Sequence, residues 1–269
     1  MNSKKKIIAG VFFLFILCFC IGIKLSLAST LRSERGPETI RMLTIGNSFA
    51  DNACQYLKEI TESVKGYQII IGNANIGGAA LDKHADFIKK SEVDPTFKPY
   101  NGKSLKDWLL EEQWDVITIQ QVSHKSYKIE SYQPYADEIV AYIQKYMPNA
   151  KIYIHQTWAY APDCIRLDEF GITSDQMYKG LKKNYKALSK HYDFPVLNSG
   201  DAFHRAYKTN QINLWNDDDR FHANVNGSYL AGCVWFSELF DVSPKEIKYV
   251  PAGMPELTAN FLRGHADVR

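Results

Sequence analysis

Short apolar runs alternate with longer amphipathic ones from residue 39 to about residue 240, and this pattern limits what the chain can fold into more than any other feature. Five of the short runs read as strands: Thr39–Ile45, Tyr67–Ile71, Val116–Gln120, Lys151–His155 and Pro195–Asn198. The longer segments have helical spacing: Phe49–Val64, Leu81–Lys90, Ser104–Glu112, Tyr135–Tyr146, Ser174–Tyr192 and Val225–Phe240. Strands separated by helices pair in parallel, with the helices covering the sheet. Right-handed crossovers then place helices on both faces. The expected fold is a three-layer α/β/α sandwich around a parallel sheet of about five strands.

The N-terminal residues stand outside that pattern. Lys4, Lys5 and Lys6 precede an apolar run from Ile7 to Ile23, and Ser26-Leu27-Ala28 then supplies small residues at signal-peptidase spacing. Residues 1–29 therefore read as a cleaved signal peptide, with an uncleaved membrane anchor through residues 7–23 as the rival, since that run is only just long enough to span a bilayer. The basic start places the domain outside the membrane in either case, so the expected location is periplasmic, cell-surface or secreted. Residues 30–38 are a polar linker with Gly36-Pro37, and residues 39–269 form the domain. Removing residues 1–28 takes away four lysines and leaves 28 basic against 30 acidic residues, a net charge of −2. That balance argues against nucleic acid as a partner. The mature part keeps Cys54, Cys164 and Cys233, an odd number that allows at most one internal disulfide.

In an open parallel sheet, ligands bind outside the carboxyl ends of the strands, so residues that follow strands carry the functional information. Gly46-Asn47-Ser48 follows the first strand and turns directly into a helix. Such a turn is either a plain helix cap or a mount for a nucleophilic serine. A serine needs a base beside it, usually a histidine oriented by a carboxylate. In "NDDDRFHANVNG", Asp219 lies three residues before His222, close enough for a carboxylate to hold Nδ1 and leave Nε2 free for Ser48. An acidic helix start would look the same. Oxyanion donors are available from the backbone N–H of Ser48, at a helix N-terminus, and from Gly78, where a glycine allows close main-chain approach.

Together these blocks resemble the SGNH, or GDSL-like, hydrolases. "GNSF" (Gly46 to Phe49) is similar to the family's first block, and "NANIGGAAL" (Asn73 to Leu81) to its second, with Gly78 at the oxyanion glycine. "DRFH" (Asp219 to His222) matches the last block, Asp-x-x-His. "WDVITIQQVS", "TWAY" and "GSYLAGCVWF" further resemble a little-characterised branch of SGNH-like domains in secreted bacterial proteins. The resemblance implies a serine esterase with Ser48 as nucleophile, His222 as general base and Asp219 as its orienter. It also implies oxyanion donors at the N–H groups of Ser48 and Gly78. One departure stands out. The family's third block ends in Gly-x-Asn-Asp, whose asparagine is the third donor, and here His124 falls at that place. Gln120 is the first substitute, as glutamine serves in related sialate and xylan acetylesterases; Gln121 is the second and His124 the third.

The expected function is that of an exported esterase removing acyl, above all acetyl, groups from a carbohydrate. The alternatives are an acyltransferase using the same triad and a non-catalytic glycan-binding protein on the same scaffold. Asn47, His124 and Trp158 are expected to touch substrate, with Tyr160 beside them in the cleft wall. No cofactor is called for. No metal is expected either, since His84, His124 and His155 are not at ligand spacing with one another. Protein recovered from an exporting host should lack residues up to about Ala28 or Ser29 by intact-mass measurement; an unprocessed chain in the membrane fraction identifies the anchor instead.

Overall fold

The computed structural model describes residues 36–267, so residues 1–35, where the signal or anchor was read, lie outside it. Residues 39–64 and 68–267 form one compact unit, apart from residues 36–38 and 65–67, and that unit carries the features below. Five strands form the sheet: β1 Glu38–Gly46, β2 Tyr67–Asn75, β3 Val116–Ile119, β4 Lys151–His155 and β5 Val196–Leu197, in the order β2-β1-β3-β4-β5. Pairing is parallel, with Met42 opposite Val116 and Ile119 opposite Ile154. All four residues of β3, Val-Ile-Thr-Ile, are buried, as expected of a central strand covered on both faces.

The helices are α1 Ser48–Cys54, α2 Leu57–Glu62, α3 Leu81–Val93, α4 Leu105–Glu111, α5 Ser123–Ser126, α6 Tyr135–Tyr146, α7 Ile165–Phe170, α8 Ser174–Tyr192, α9 Ser199–Tyr207, α10 Val225–Phe240 and α11 Glu256–Ala266. Helix α10 packs against α1, α2, α9 and α11, while α3 and α4 pack against α6. The middle of α10, from Gly227 to Ser237, is buried throughout, which explains its long apolar sequence. The fold is the expected parallel five-stranded α/β/α sandwich.

The sequence pattern misses the break between α1 and α2. Phe49, Ala50 and Ala53 of α1 and Leu57, Ile60 and Thr61 of α2 are all buried, and their spacing is that of one continuous helix. The break at Gln55-Tyr56 faces α10 at Gly232, where an added Cβ would come within 2.8 Å of Ile60 Cδ1. Strand β2 runs on to Asn75, because Ala74 points inward between two exposed or half-exposed asparagines. Helix α9 has no counterpart among the segments of helical spacing, since it opens on Asn198-Ser199-Gly200-Asp201, a cluster of turn residues. It forms because Gln156 at the end of β4 caps it: Gly200 N–H donates to the Gln156 carbonyl at 3.1 Å and Asp201 N–H to Gln156 Oε1 at 2.8 Å.

That cap explains Gly200. An added Cβ would lie 2.3 Å from the Thr157 carbonyl oxygen, a main-chain atom that cannot swing away. Gly200→Ala should destabilise the protein by roughly 1–3 kcal/mol. Gly264→Ala, in α11 where nothing lies within 4 Å of the new methyl, should instead stabilise by up to about 1 kcal/mol. Urea unfolding of both variants checks the contrast.

Candidate active site

The strand order changes direction between β1 and β3: from β1 the chain adds β2 on one side, then β3, β4 and β5 on the other. A crevice opens at such a point beyond the carboxyl ends of the strands. Ser48 follows β1 there, Gln120 follows β3, and the Ile76–Ala79 turn follows β2. Ser48, His222 and Asp219 come together in this crevice. Ser48 Oγ lies 2.7 Å from His222 Nε2, and His222 Nδ1 lies 2.6 Å from Asp219 Oδ2. A carboxylate at Nδ1 fixes the tautomer, so Nδ1–H donates to Asp219 and Nε2 accepts the serine proton.

The loop that presents this pair is held locally. Asp219 Oδ1 accepts from the N–H groups of Phe221 and His222, each at 3.0 Å. Burial alone would raise the Asp219 carboxyl, but those two N–H groups and the His222 ring outweigh it and hold the carboxyl below its ordinary value. Arg220, at a positive φ of 60°, pairs with Asp163 and Asp217 at 2.9 and 3.2 Å. Trp158 Nε1 donates to the Phe221 carbonyl at 3.0 Å, and Ala223 N–H to Asn52 Oδ1 of α1 at 3.2 Å. Helix α1, which begins at Ser48, and the His222 loop are thereby joined directly.

Gly78 sits at φ 67° in a turn closed by Ala79 N–H donating to the Ile76 carbonyl at 2.9 Å. That φ is the region where glycine is free of strain. An added Cβ would meet nothing within 4 Å, so the space in front of this turn is open. The N–H of Ser48 is the first of α1 and has no carbonyl partner within the helix.

Three residues expected at the substrate lie elsewhere. Asn47 is buried: its Nδ2 donates to the Ala79 carbonyl at 2.8 Å, and its Oδ1 accepts from Phe49 N–H at 3.1 Å and from Gln120 Nε2 at 2.8 Å. It is an internal brace, with no face left for a ligand. Trp158 is fully buried, stacked between Phe49 and Phe203 with ring centroids 4.4 Å away on each side, so no sugar can lie on it. Gln121 spends its amide inside the fold: Nε2 donates to the Ser131 carbonyl at 2.7 Å, and Oε1 accepts from Leu81 and Val122 N–H at 3.1 and 2.8 Å. Gln120 reaches the crevice edge, but it is buried, with its Nε2 on Asn47 and its Oε1 receiving His155 Nδ1–H at 2.7 Å. It lies against Gly46, where an added Cβ would come within 2.9 Å of the Gln120 carboxamide. This contact accounts for the glycine of the Gly-Asn-Ser turn. His124, in α5, does face open space, in a cleft that Gly78 also lines.

Two histidines that sequence reasoning considered only as metal ligands are structural braces. His84 Nε2–H donates to the Gly46 carbonyl at 3.0 Å and Nδ1 accepts from Tyr100 Oη at 2.9 Å; burial pushes its pKa down to about 4. Burial likewise pushes His155 down to about 3, and its Nε2 has no hydrogen-bond partner. The place of His155 at the end of β4 was visible in the sequence, as was that of His84 in a helix, but their burial was not. Among the described residues, no group of three or more His, Cys, Asp or Glu side chains is placed to hold a metal ion. Cys54, Cys164 and Cys233 are free thiols, all raised by burial.

A parallel β2-β1-β3-β4-β5 sheet between helical layers is the α/β/α fold shared with SGNH/GDSL-like hydrolases. The chain belongs to the DUF4886 family, described as a domain of unknown function, whose profile matches residues 41–267. The crystal structure of a DUF4886 family protein from Bacteroides uniformis superposes with a TM-score of 0.77 at 28% identity, covering 85% of this chain and 93% of that one. A provisionally assigned SGNH hydrolase from Slackia heliotrinireducens gives a TM-score of 0.56 at 20% identity, covering 75% and 100%. A variant of an acetyl-xylooligosaccharide esterase from Geobacillus gives 0.51 at 15% identity, covering 77% and 96%. These last two share the fold. No curated protein matches the chain in sequence.

The position of Gln120 leads to a specific expectation. Gln120→Leu keeps the volume but leaves His155 Nδ1–H buried without an acceptor, at a cost of about 1–3 kcal/mol. Its melting temperature should therefore fall together with any loss of turnover. A glutamine acting only as an oxyanion donor would lose turnover with the melting temperature intact, and thermal denaturation beside kcat separates the two.

Proposed function

We propose that this protein is a serine esterase of SGNH type that acts after export and removes O-acyl groups, acetyl foremost, from a carbohydrate. The observation that carries the reading is the continuous contact from Ser48 Oγ through the His222 ring to Asp219, at 2.7 and 2.6 Å. In this reading Ser48 Oγ attacks the ester carbonyl while His222 Nε2 takes its proton. Asp219, kept ionised by its N–H donors, stabilises the imidazolium that forms. The N–H groups of Ser48 and Gly78 receive the developing oxyanion. His222 then protonates the departing sugar oxygen, and a water activated by the same ring releases the acyl group from Ser48.

The substrate class draws support from the acetyl-xylooligosaccharide esterase that shares the fold, and export from the basic, apolar, small-residue order of residues 1–29. The assembled triad favours catalysis over a purely binding role. No helix among the described residues is long and apolar enough to cross a membrane.

Ser48→Ala should abolish aryl-acetate hydrolysis and fluorophosphonate labelling while the fold persists. Losing the nucleophile or the base of such a unit costs on the order of 10⁶ in turnover, and the losses do not add. His222→Ala should therefore match Ser48→Ala, and the double variant should be little worse. A Ser48→Ala protein that hydrolyses the ester at the parental rate overturns the assignment.

A further inference from the structure

The crevice has a charged flank that the triad does not use. Beside Gly78 lies an open cleft of roughly 400 Å³ lined by Asp82, Lys83, Asp86, His124 and Lys125. Both acids are already neutralised: Asp82 meets Lys125 and Asp86 meets Lys90, each at 2.7 Å. Lys83 has no carboxylate partner among the described residues, and no hydrogen bond holds the His124 ring.

Arg166, exposed on α7, is near enough to His124 for its charge to act on that ring. Its guanidinium lies 4.3 Å from the centre of the Phe221 ring, which is itself 4.4 Å from the His222 ring. Tyr160 connects Arg166 and His124. Its ring is 5.1 Å from Phe221, and its hydroxyl accepts from Ser123 Oγ at 3.1 Å, next to His124. Burial first, and then the charges of Lys125, Arg166 and Lys128, hold His124 below its ordinary value, as a cationic neighbourhood requires. Asp168 and Glu169 share the helix with Arg166, but neither is ion-paired with it, and no carboxylate pairs with Lys128.

Lys83, on the Gly78 side, and Arg166, beside Phe221 of the histidine loop, are therefore cations without a carboxylate partner among the described residues, on a chain whose residues 29–269 carry a net charge of −2. Surface lysines and arginines in a folded protein are commonly matched by carboxylates; here Lys125 is matched by Asp82, while Lys83, Lys128 and Arg166 have no carboxylate partner among the described residues. Arg166 is well placed for an anion. Its guanidinium lies over Phe221 and is steadied by a hydrogen bond to Tyr160, and a guanidinium carries more N–H donors than that one contact uses.

We propose that the ester substrate carries an anionic group, a sugar carboxylate or a phosphate, and that Arg166, with His124 and the lysines beside it, binds that group while Ser48 attacks the acyl carbon. The inference rests on the esterase reading above and narrows its substrate to acidic glycans. A neutral acetylated xylan chain would leave this flank without a partner.

Three substrates test it: an O-acetylated oligogalacturonide, the same oligomer with its carboxyl groups reduced to alcohols, and an acetylated sugar phosphate. The parent should favour at least one acidic ester over the neutral oligomer by roughly 10- to 100-fold in kcat/KM, the range expected for a charge-assisted bidentate contact. Added salt should erode that preference. The carboxylate and phosphate arms show which anion is meant. Arg166→Gln should bring the acidic-to-neutral ratio close to one. Equal rates for acidic and neutral esters, or a ratio unmoved by Arg166→Gln, overturn the proposal. If the parent hydrolyses nothing and fluorophosphonate leaves Ser48 unlabelled, it is the esterase reading that fails. Calorimetric binding of the de-esterified acidic and neutral oligomers to the parent and to Arg166→Gln then decides the flank alone: preferential acidic binding lost in Arg166→Gln upholds it, and equal binding overturns it.

Discussion

Three parts of the crevice depend on one buried side chain, the carboxamide of Asn47. Its oxygen accepts from Phe49 N–H at the start of α1 and from Gln120 at the end of β3; its nitrogen donates to the Ala79 carbonyl in the turn that contains Gly78. The network continues through Gln120 to His155 at the end of β4. Loops after four different strands cannot hold a common geometry through their own backbones. A buried polar network can, because in a low-dielectric interior each of its hydrogen bonds is expensive to leave unmade. His155 is held neutral by burial, so the network keeps its donor and acceptor pattern across the ordinary pH range.

A second set of contacts braces the same turn from other directions. His84 donates to the Gly46 carbonyl, and the ring stack Phe203–Trp158–Phe49 runs from α9 to α1. The indole N–H at the centre of that stack reaches the main chain of the histidine loop. Ser48 and His222 are thus positioned by groups that touch no substrate, the kind of support a preorganised site requires.

Much of this was legible in the sequence. The sheet and its long helices followed from hydrophobic period, and Ser48, Asp219 and His222 from short motifs beyond strand ends. What could not be read was direction and depth. Trp158 and Tyr160, both expected in the cleft wall, are both buried: one lies inside a ring stack and the other between Ser123 and Phe221. Asn47 stands beside Ser48, yet their side chains leave the backbone in different directions, one into the core and one into the opening. The α1–α2 break was invisible because the buried residues keep helical spacing across it. Arg166 had no signal at all, since its meaning comes from Phe221, far away along the chain.

The missing asparagine of the third block also takes on a physical meaning. Where that residue is present, a side chain supplies an oxyanion donor directly. In this chain the carboxamide at the end of β3 instead serves as a link between His155 and Asn47. In the esterase reading, the oxyanion then falls to main-chain N–H groups, whose aim depends on the turn that carries them. A backbone donor on a loose turn would be a poor one. Asn47 Nδ2 fastens the carbonyl of Ala79, the residue after Gly78, and a 3.0 Å hydrogen bond from Ile76 N–H to the Gly46 carbonyl fastens the turn's other end to the nucleophile turn. In that reading a side-chain donor is exchanged for rigidity: the Gln120 amide holds Asn47, and Asn47 in turn holds the main chain of the turn.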